Sequence, residues 1–338
     1  MAFSIGIIGL PNVGKSTLLK ILTKKEVKID SYPFTTIDPN VGKVAIPDKR
    51  LEKLAKIIKP EKVTPPFLEF IDIAGLVKGA HKGEGLGNQF LSHIRECDAI
   101  VEIVRAFKRK DVQHVEGEIN PKRDIEIIET ELLMKDLEQT ERALEKYKKI
   151  KEEQERVIFL EKIKDSLSKG IPLRNLSFQE KEKKFLKEYN FLTYKPILHL
   201  LNTDEENFQK DKFFKINLKL EEELLSLSEK EKEELKLESK IDLLILESYN
   251  ILNLLTFYTI EKLKEIRGYL LKKGENDILK GAEKVHSDFK EKFKRAEVIS
   301  FDKFIQNPSL LKLKEEGEIK IVGKDYLIKD GDIIKFII

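Results

Sequence analysis

The sequence predicts an α/β domain that is interrupted by an inserted α-helical coiled-coil arm and followed by a small α+β unit. Three observations support this. Residues 5–22 pass from an apolar run through a glycine-rich loop into a helical pattern. Residues 125–189 lose almost all glycine and carry apolar residues at helical spacing. From residue 255 onward, short alternating runs are separated by turn residues.

Composition narrows the class of protein. The 338 residues predict two or three domains. Acidic and basic residues nearly cancel to a formal net charge of +3, which argues against a wholesale nucleic-acid coat but leaves room for a local basic patch. Cys97 is the only cysteine, which excludes a disulfide framework and a cysteine metal site. No apolar run approaches a membrane span, and the chain opens directly on its first predicted strand, so we expect a soluble, cytoplasmic protein without a signal peptide.

Residues 9–16 read G-L-P-N-V-G-K-S, which fits the phosphate-loop pattern G-x-x-x-x-G-K-[ST] in the required strand–loop–helix context. The glycines let backbone N–H groups approach phosphate oxygens. Lys15 can reach the β- and γ-phosphates, and the Ser16 hydroxyl can ligate Mg²⁺. The predicted nucleotide-binding residues of this loop are Asn12, Val13, Gly14, Lys15, Ser16 and Thr17.

Residues 29–40 contain two prolines and several small polar residues, so we predict a loop. Nucleotide switches carry at this place a threonine that senses the γ-phosphate and Mg²⁺. We favour Thr36 as this metal ligand over Thr35. A strand at 41–46 and a helix around Lys49–Ile58 follow.

A second motif, D-I-A-G, ends the apolar strand at residues 67–75. Asp72 at the strand tip can hold Mg²⁺ through water, and Gly75 can offer its N–H to the γ-phosphate. Ras-like enzymes carry after this glycine a glutamine that orients the attacking water. Leu76 stands there, so hydrolysis must place its water by another group.

The next two loops each contain a histidine. Residues 77–89 are glycine-rich and include His81, which we interpret as an ordinary loop residue. A helix at 90–97 and a buried strand at 99–104 precede the loop with His114, which the residues alone favour as an ordinary loop histidine over a catalyst.

Residues 125–189 form the predicted arm. Leu133, Leu137, Leu144 and Tyr147 are spaced like a coiled-coil seam. Residues 177–180 resemble a capping box for a further helix. We interpret the many charges as solvated faces, with RNA or protein binding by the lysines of residues 146–151 as the weaker alternative.

A strand at 195–201 then ends in Asn202-Thr203-Asp204-Glu205. GTPases carry N-K-x-D here, and its aspartate reads guanine. Glu205 and Thr203 remove that signature and, taken alone, leave the base preference open. His199, on the preceding strand, is expected to lie in the core. Acidic residues 220–237 and apolar residues 241–254 predict two helices, and the final unit lacks a catalytic constellation, which indicates a binding module.

These motifs together resemble the Obg-like ATPase family, the YchF group within the translation-factor class of P-loop proteins. The resemblance covers almost the whole chain and rests on five strings. They lie at residues 9–17, 32–39, 72–88, 202–205 and 285–332.

The resemblance implies a P-loop NTPase domain of the Ras-like type at residues 1–124 and 191–254, a coiled-coil arm at 125–190 and a ubiquitin-like TGS domain at 255–338. It implies ATP rather than GTP, because the family carries N-x-x-E where Asn202, Thr203 and Glu205 stand. It assigns water placement to the histidine that aligns with His114. Ribosome association is a family trait, as is potassium activation in some members, which Asn12 fits. The stretch 216–218 departs from the family pattern beside the base.

We therefore expect a Mg²⁺-dependent ATPase, with Lys15 and His114 as catalytic residues, that acts as a ribosome-associated switch. The alternatives are a GTP-hydrolysing translation factor and a non-catalytic, ATP-bound adaptor for the ribosome or RNA. RNA contact could involve the arm or the TGS domain, and no membrane contact is expected.

Overall fold

The structure is a computed structural model that describes residues 2–24, 40–73, 88–108, 117–204 and 213–338. Its strands are Phe3–Ile8 (β1), Val41–Ala45 (β2), Lys62–Thr64 (β3), Phe67–Asp72 (β4), Ala99–Arg105 (β5), Ile197–Asn202 (β6), Phe214–Ile216 (β7), Leu254–Glu261 (β8), Glu265–Lys272 (β9), Arg295–Ser300 (β10), Lys320–Val322 (β11) and Asp332–Ile337 (β12). Its α-helices are Lys15–Thr23 (α1), Lys49–Ile58 (α2), Asn88–Glu96 (α3), Pro121–Tyr147 (α4), Gln154–Ser168 (α5), Glu180–Tyr189 (α6), Leu218–Leu224 (α7), Glu229–Leu235 (α8), Ile241–Ile251 (α9), Ile278–Val285 (α10), Phe289–Lys292 (α11), Phe301–Gln306 (α12) and Leu310–Glu315 (α13).

The first sheet has the strand order β2-β4-β1-β5-β6-β7. Every neighbouring pair is parallel except β2 and β4. Successive residues of β1 and β5 face opposite sides of the sheet, and those of β5 are all buried. Both faces of the sheet are therefore covered. Helices α1 and α9 share one apolar cluster with it, and α3 and α4 share the other. The carboxyl ends of the parallel strands therefore meet at one edge, where the phosphate loop lies.

The arm consists of α4 and α5 joined by a short turn, with α6 packed beside them. Asn120 caps α4 by accepting a hydrogen bond from the Arg123 N–H, and Pro121 occupies the first turn, where its missing N–H costs nothing. Leu144 is buried in the arm core, and Leu133, Leu137 and Tyr147 pack against it, which confirms the predicted seam.

Three predicted details of the helices are wrong. The capping box before α6 lies two residues later than predicted, where Glu182 accepts from the Gln179 N–H at 2.7 Å. The acidic stretch forms α7 and α8 rather than one helix, because Ser228 and Glu231 make their own capping box. Helix α9 ends at Ile251, since Asn253 adopts a left-handed conformation and the chain enters β8.

The second sheet has the strand order β11-β10-β12-β8-β9-β3. With α10 packed on its apolar face, it forms the predicted α+β unit. The Asp330–Gly331 turn leads into β12 and is tied to β8, because the Gly331 N–H donates to the Thr256 carbonyl at 2.8 Å. The sheet thus contains one strand, β3, that comes from far earlier in the chain.

Residues 48–64, which precede β4, join this second unit. Leu54 of α2 is fully buried in one cluster with Tyr258 and Ile266. The Arg50 guanidinium makes two hydrogen bonds to the Asp330 carboxylate, at 2.9 and 3.2 Å. The Tyr258 hydroxyl donates to Asp48, the cap of α2. The segment between β2 and β4 therefore fixes the second sheet to the first.

Among the described residues, none of the α-helices has the length and hydropathy of a membrane-spanning segment.

Candidate nucleotide site

The phosphate loop connects β1 to α1 through three residues with positive φ. Gly9 has φ 148°, and a Cβ there would lie 2.4 Å from the Ile103 carbonyl oxygen, so only glycine fits. Asn12 has φ 63° and Gly14 has φ 111°. A Cβ on Gly14 would lie 3.0 Å from Asn202 Nδ2. The loop is thus closely packed between β5 and the end of β6.

Gly14 is the N-cap of α1 and supplies no side-chain acceptor for the first turn. The N–H groups of that turn, together with the positive end of the helix dipole, are suited to an anion. Lys15 lies beside them, with its Nζ donating to the carbonyls of Gly9 at 3.0 Å and Leu10 at 2.8 Å. Burial lowers the pKa of Lys15, and attraction to Asp72 opposes that shift. The ammonium is therefore held at the mouth of the loop, within reach of a phosphate.

The predicted metal ligands Ser16 and Asp72 come together because β1 and β4 are adjacent parallel strands, with Ile7 opposite Asp72. The Ser16 hydroxyl donates to Asp72 Oδ2 at 3.1 Å, and Asp72 is 3% exposed. Hydroxyl and carboxylate oxygens are the ligands that Mg²⁺ prefers. No cluster of three or more histidine, cysteine, aspartate or glutamate side chains suited to a metal occurs among the described residues. The pair fits a Mg²⁺ ion that takes its other ligands from phosphate and water.

The side chain of Asn202, predicted for the base, makes two hydrogen bonds to other residues that the structure describes. Its Nδ2 donates to the Val13 carbonyl at 3.0 Å, and its Oδ1 accepts from the Leu218 N–H at 3.1 Å. Thr203 is buried, and its N–H donates to the Ile216 carbonyl at 2.9 Å, which extends the pairing of β6 with β7. Asn202 thereby joins the phosphate loop to the start of α7.

A cavity of about 600 Å³ opens beside the loop. Its lining includes Asn12, Thr17, Phe107, Asp204 and Leu218. Leu218 follows the end of β7 and lies in the stretch 216–218 that the family resemblance places beside the base. Phe107 follows the end of β5, and we did not select it from the sequence. Its place directly after an apolar strand was the available signal, since ligands bind at the carboxyl edge of such sheets. The Arg105 guanidinium lies 4.5 Å from the centre of the Phe107 ring and holds it at the rim.

The expectations for six residues fall outside the described part of the chain. They concern Thr36, Gly75, Leu76, His81, His114 and Glu205. His199, which was expected in the core, is a described residue and is only partly buried. Its Nδ1 is 3.0 Å from Glu102 Oε2 across the β5–β6 pair, and burial raises the pKa of that glutamate while His199 lowers it.

Comparison with known proteins indicates the family to which this chain belongs. A family profile described as "50S ribosome-binding GTPase" matches residues 4–162. A second profile, named for the C-terminal domain of YchF GTPases and described as "Protein of unknown function", matches residues 254–338. The chain is 43% identical over 361 aligned positions to the ribosome-binding ATPase YchF of Buchnera aphidicola subsp. Schizaphis graminum, covering 100% of this chain and 99% of that protein.

The chain belongs to the YchF family. The ribosome-binding ATPase YchF of Bacillus subtilis is 40% identical, with 99% of each chain covered. The solved structure of the Schizosaccharomyces pombe YchF GTPase superposes with a TM-score of 0.89 at 34% identity, covering 99% of this chain and 97% of that one. Membership in the YchF family therefore applies to the whole length, from the phosphate loop to the second sheet.

Proposed function

We propose that this protein is a Mg²⁺-dependent ATPase that acts as a ribosome-associated switch. The observation that carries the proposal is the assembly of the Lys15 loop and the Ser16–Asp72 pair at the carboxyl edge of one parallel sheet. This arrangement supplies the phosphate cradle and the oxygen ligands that phosphoryl transfer requires. Its relatives are named ribosome-binding ATPases, which supports the same activity and the same partner here.

In this proposal the protein binds phosphate charge through Lys15 and the N–H groups of the first turn of α1. The Lys15 Nζ is held by the carbonyls of Gly9 and Leu10, and the N–H groups are held by the helix, so little reorganisation is needed for them to stabilise developing charge. Mg²⁺, when bound, would be held by Ser16 and Thr36 and, through water, by Asp72, and it would neutralise charge on the β- and γ-phosphates. Thr17, Gly75 and Asn12 complete the phosphate contacts, and K⁺ near Asn12 is a further proposed requirement.

The base would occupy the cavity beside Phe107 and Leu218. We propose adenine, with Glu205 in the base-reading position and Asn202 joining that strand end to the loop. We also propose the division into a nucleotide domain at 1–124 and 191–254, an arm at 125–190 and a TGS domain at 255–338, with residues 48–64 of the first segment packed on the TGS domain, to which they contribute strand β3. The exposed lysines at the turn of the arm, Lys148, Lys149 and Lys151, would face ribosomal RNA in the cytoplasm.

Competition between ATP and GTP for the purified protein tests the base assignment. We expect ATP to displace a fluorescent adenine nucleotide at a lower concentration than GTP does. A clear GTP preference would instead identify a GTP-hydrolysing translation factor, and the adenine assignment would be wrong.

The main alternative is a non-catalytic adaptor that binds ATP as a conformational ligand. It is favoured by Leu76, which stands where Ras-like enzymes carry the water-orienting glutamine. Single-turnover hydrolysis with and without ribosomes separates the two functions. We expect hydrolysis in the wild type and, in His114→Ala, unchanged ATP affinity with a lower rate, because a residue that only places water does not bind the nucleotide. Binding without turnover under both conditions would support the adaptor.

A further inference from the structure

Arg105 is the last residue of β5, and it is almost completely buried, at 2% exposure. Charged side chains are seldom buried to this extent, because removing a guanidinium from water is costly. The cost is offset only by groups that accept its hydrogen bonds or face its charge. The neighbours of Arg105 therefore indicate what this side chain does.

Phe107, two residues further along the chain, is such a neighbour. Arg105 Nε donates a hydrogen bond to the Phe107 carbonyl at 3.3 Å, which fixes the backbone beyond the end of the strand. The guanidinium carbon lies 4.5 Å from the centre of the Phe107 ring, within the range of a cation–π contact. One arginine thus holds both the backbone and the ring of Phe107.

The position of Arg105 is itself fixed by the sheet. Arg105 lies opposite Asn202 in the parallel pair of β5 and β6, and the Ala106 N–H donates to the Asn202 carbonyl at 2.8 Å. Two residues before Arg105, the Ile103 carbonyl packs so closely on Gly9 that a Cβ there would lie 2.4 Å away. The guanidinium therefore extends from the part of the sheet that also supports the phosphate loop.

Phe107 lines the cavity beside the phosphate loop, whereas Arg105 is not among the described residues that line it. Phe107 is partly exposed, so it offers apolar surface to a bound molecule. Aromatic side chains stack on the flat face of every base without reading the edge of that base. Phe107 is therefore suited to a purine ring, and Arg105 would act on the purine through Phe107 rather than by direct contact.

We propose that Arg105 is a positioning residue of the nucleotide site, which holds Phe107 in the orientation that receives the base. This inference rests on the proposed function, because that function puts the base in this cavity. It adds a determinant of base affinity that is separate from the phosphate loop and from Glu205. Because stacking tolerates any base, this determinant should act equally on ATP and GTP.

The physical reason is pre-organisation of the ring. A side chain that is free to rotate loses that freedom when a ligand binds, and the affinity falls accordingly. The guanidinium of Arg105 prevents this because it is planar and can stack on the ring while its Nε donates to the backbone. A lysine ammonium keeps the charge but has no flat face and no Nε donor. Arg105→Lys therefore removes the positioning and retains the charge.

A double-mutant cycle tests whether Arg105 acts through Phe107. Equilibrium titration gives the dissociation constants of ATP and GTP for the wild type, Arg105→Lys, Phe107→Leu and the double variant. We expect Arg105→Lys to weaken both nucleotides about fivefold. Phe107→Leu should weaken both about tenfold, because leucine is apolar but has no ring on which a base can stack. In the Phe107→Leu background, Arg105→Lys should have no further effect.

Two controls separate this role from a general structural one. Inorganic tripolyphosphate can occupy the phosphate loop but has no base, so its affinity should be the same in all four proteins. Arg156→Lys is the matched variant, because Arg156 of the arm is 13% exposed and its guanidinium carbon also lies 4.5 Å from the centre of an aromatic ring, that of Tyr147. The same substitution there should leave the affinity for ATP and GTP unchanged.

A fluorescent reporter tests the positioning with Arg105 intact, should Arg105→Lys fail to fold. The chain contains no tryptophan, so Phe107→Trp introduces a single indole at the rim of the cavity. Time-resolved anisotropy of the nucleotide-free protein should show that the indole rotates only with the whole molecule. ATP and GTP should both quench its emission by stacking on it, whereas tripolyphosphate should not.

Three results overturn the inference. They are an unchanged affinity in Arg105→Lys, an equal loss from Arg105→Lys with and without the Phe107 ring, and an indole at position 107 that rotates freely in the nucleotide-free protein. A loss of tripolyphosphate affinity in Arg105→Lys would indicate a general structural role and would also overturn it. Failure of both ATP and tripolyphosphate to bind the wild type would refute the proposed function instead.

Discussion

Asn202→Ala tests whether this side chain organises the site or reads the base. Its amide donates to the Val13 carbonyl of the phosphate loop at 3.0 Å and accepts from the Leu218 N–H at 3.1 Å. Asn202 is 7% exposed, so water does not readily replace either contact. Truncation therefore leaves a carbonyl of the loop and an N–H at the start of α7 without their partners.

The size of the effect follows from those two groups. A buried polar group that loses its partner costs about 1–3 kcal/mol. If about 2 kcal/mol of that cost falls on the loop that binds phosphate, nucleotide affinity should drop about 30-fold. Because both contacts are to the backbone of the protein, the loss should be the same for ATP and GTP.

Equilibrium titration of both nucleotides against the wild type and Asn202→Ala measures this. Asn217→Ala is a suitable control, since Asn217 lines the same cavity but caps α7 by accepting from the Leu220 N–H at 3.0 Å. It should lower stability by about 1 kcal/mol with little loss of affinity. A selective loss of ATP over GTP in Asn202→Ala would show that the side chain reads the base and would refute this reasoning.

Three further predictions concern single side chains. Lys15→Ala should lower the rate of ATP hydrolysis at least about a hundredfold, because it removes the cation at the phosphate cradle; near-normal turnover would contradict the site. Burial lowers the pKa of Lys195 to about 8 from 10.5. Between these values the unfolded chain keeps a proton that the folded chain loses, so the stability of the wild type relative to Lys195→Met should rise with pH, by up to about 3 kcal/mol. If denaturant unfolding gave the same difference in stability between the wild type and Lys195→Met at every pH from about 8 to 10.5, the lowered pKa of Lys195 would be excluded. Leu54→Ala should destabilise the protein by about 2–5 kcal/mol, because Leu54 is fully buried against the second sheet, whereas Ile57→Ala, at 39% exposure, should cost far less. If Leu54→Ala and Ile57→Ala lowered the melting temperature equally, the packing of α2 against the second sheet would be contradicted.

The helical arm illustrates what local patterns determine. Apolar spacing in α4 predicts the seam, and Asn190 ends α6 in the left-handed conformation that is common at a helix C-terminus. Capping was less well predicted at other termini. Ser177 and Ser228 both precede an acidic stretch, yet only Ser228 caps a helix, because competing caps differ little in energy.

The second sheet illustrates what local sequence patterns do not determine. Strand β3 is three residues long and lies about two hundred residues before its partner β9, so no local signal could pair them. The contact of Arg50 with Asp330 is equally remote in sequence. Such contacts depend on how two folded domains pack against each other. The periodicity of apolar residues within either domain does not predict that packing.

Local patterns predict the phosphate loop, the strand-end aspartate and the helical insertion, because backbone geometry dictates their spacing. The preference for ATP was implied by the resemblance to a family and not by residues 202–205 alone. The folded chain, in contrast, reveals that Asn202 joins the loop to α7, that Phe107 borders the cavity, and that Arg95 and Lys195 connect α3 to the base of the arm. These contacts link residues that are far apart in the chain, and their partners are chosen by burial and packing rather than by neighbouring residues.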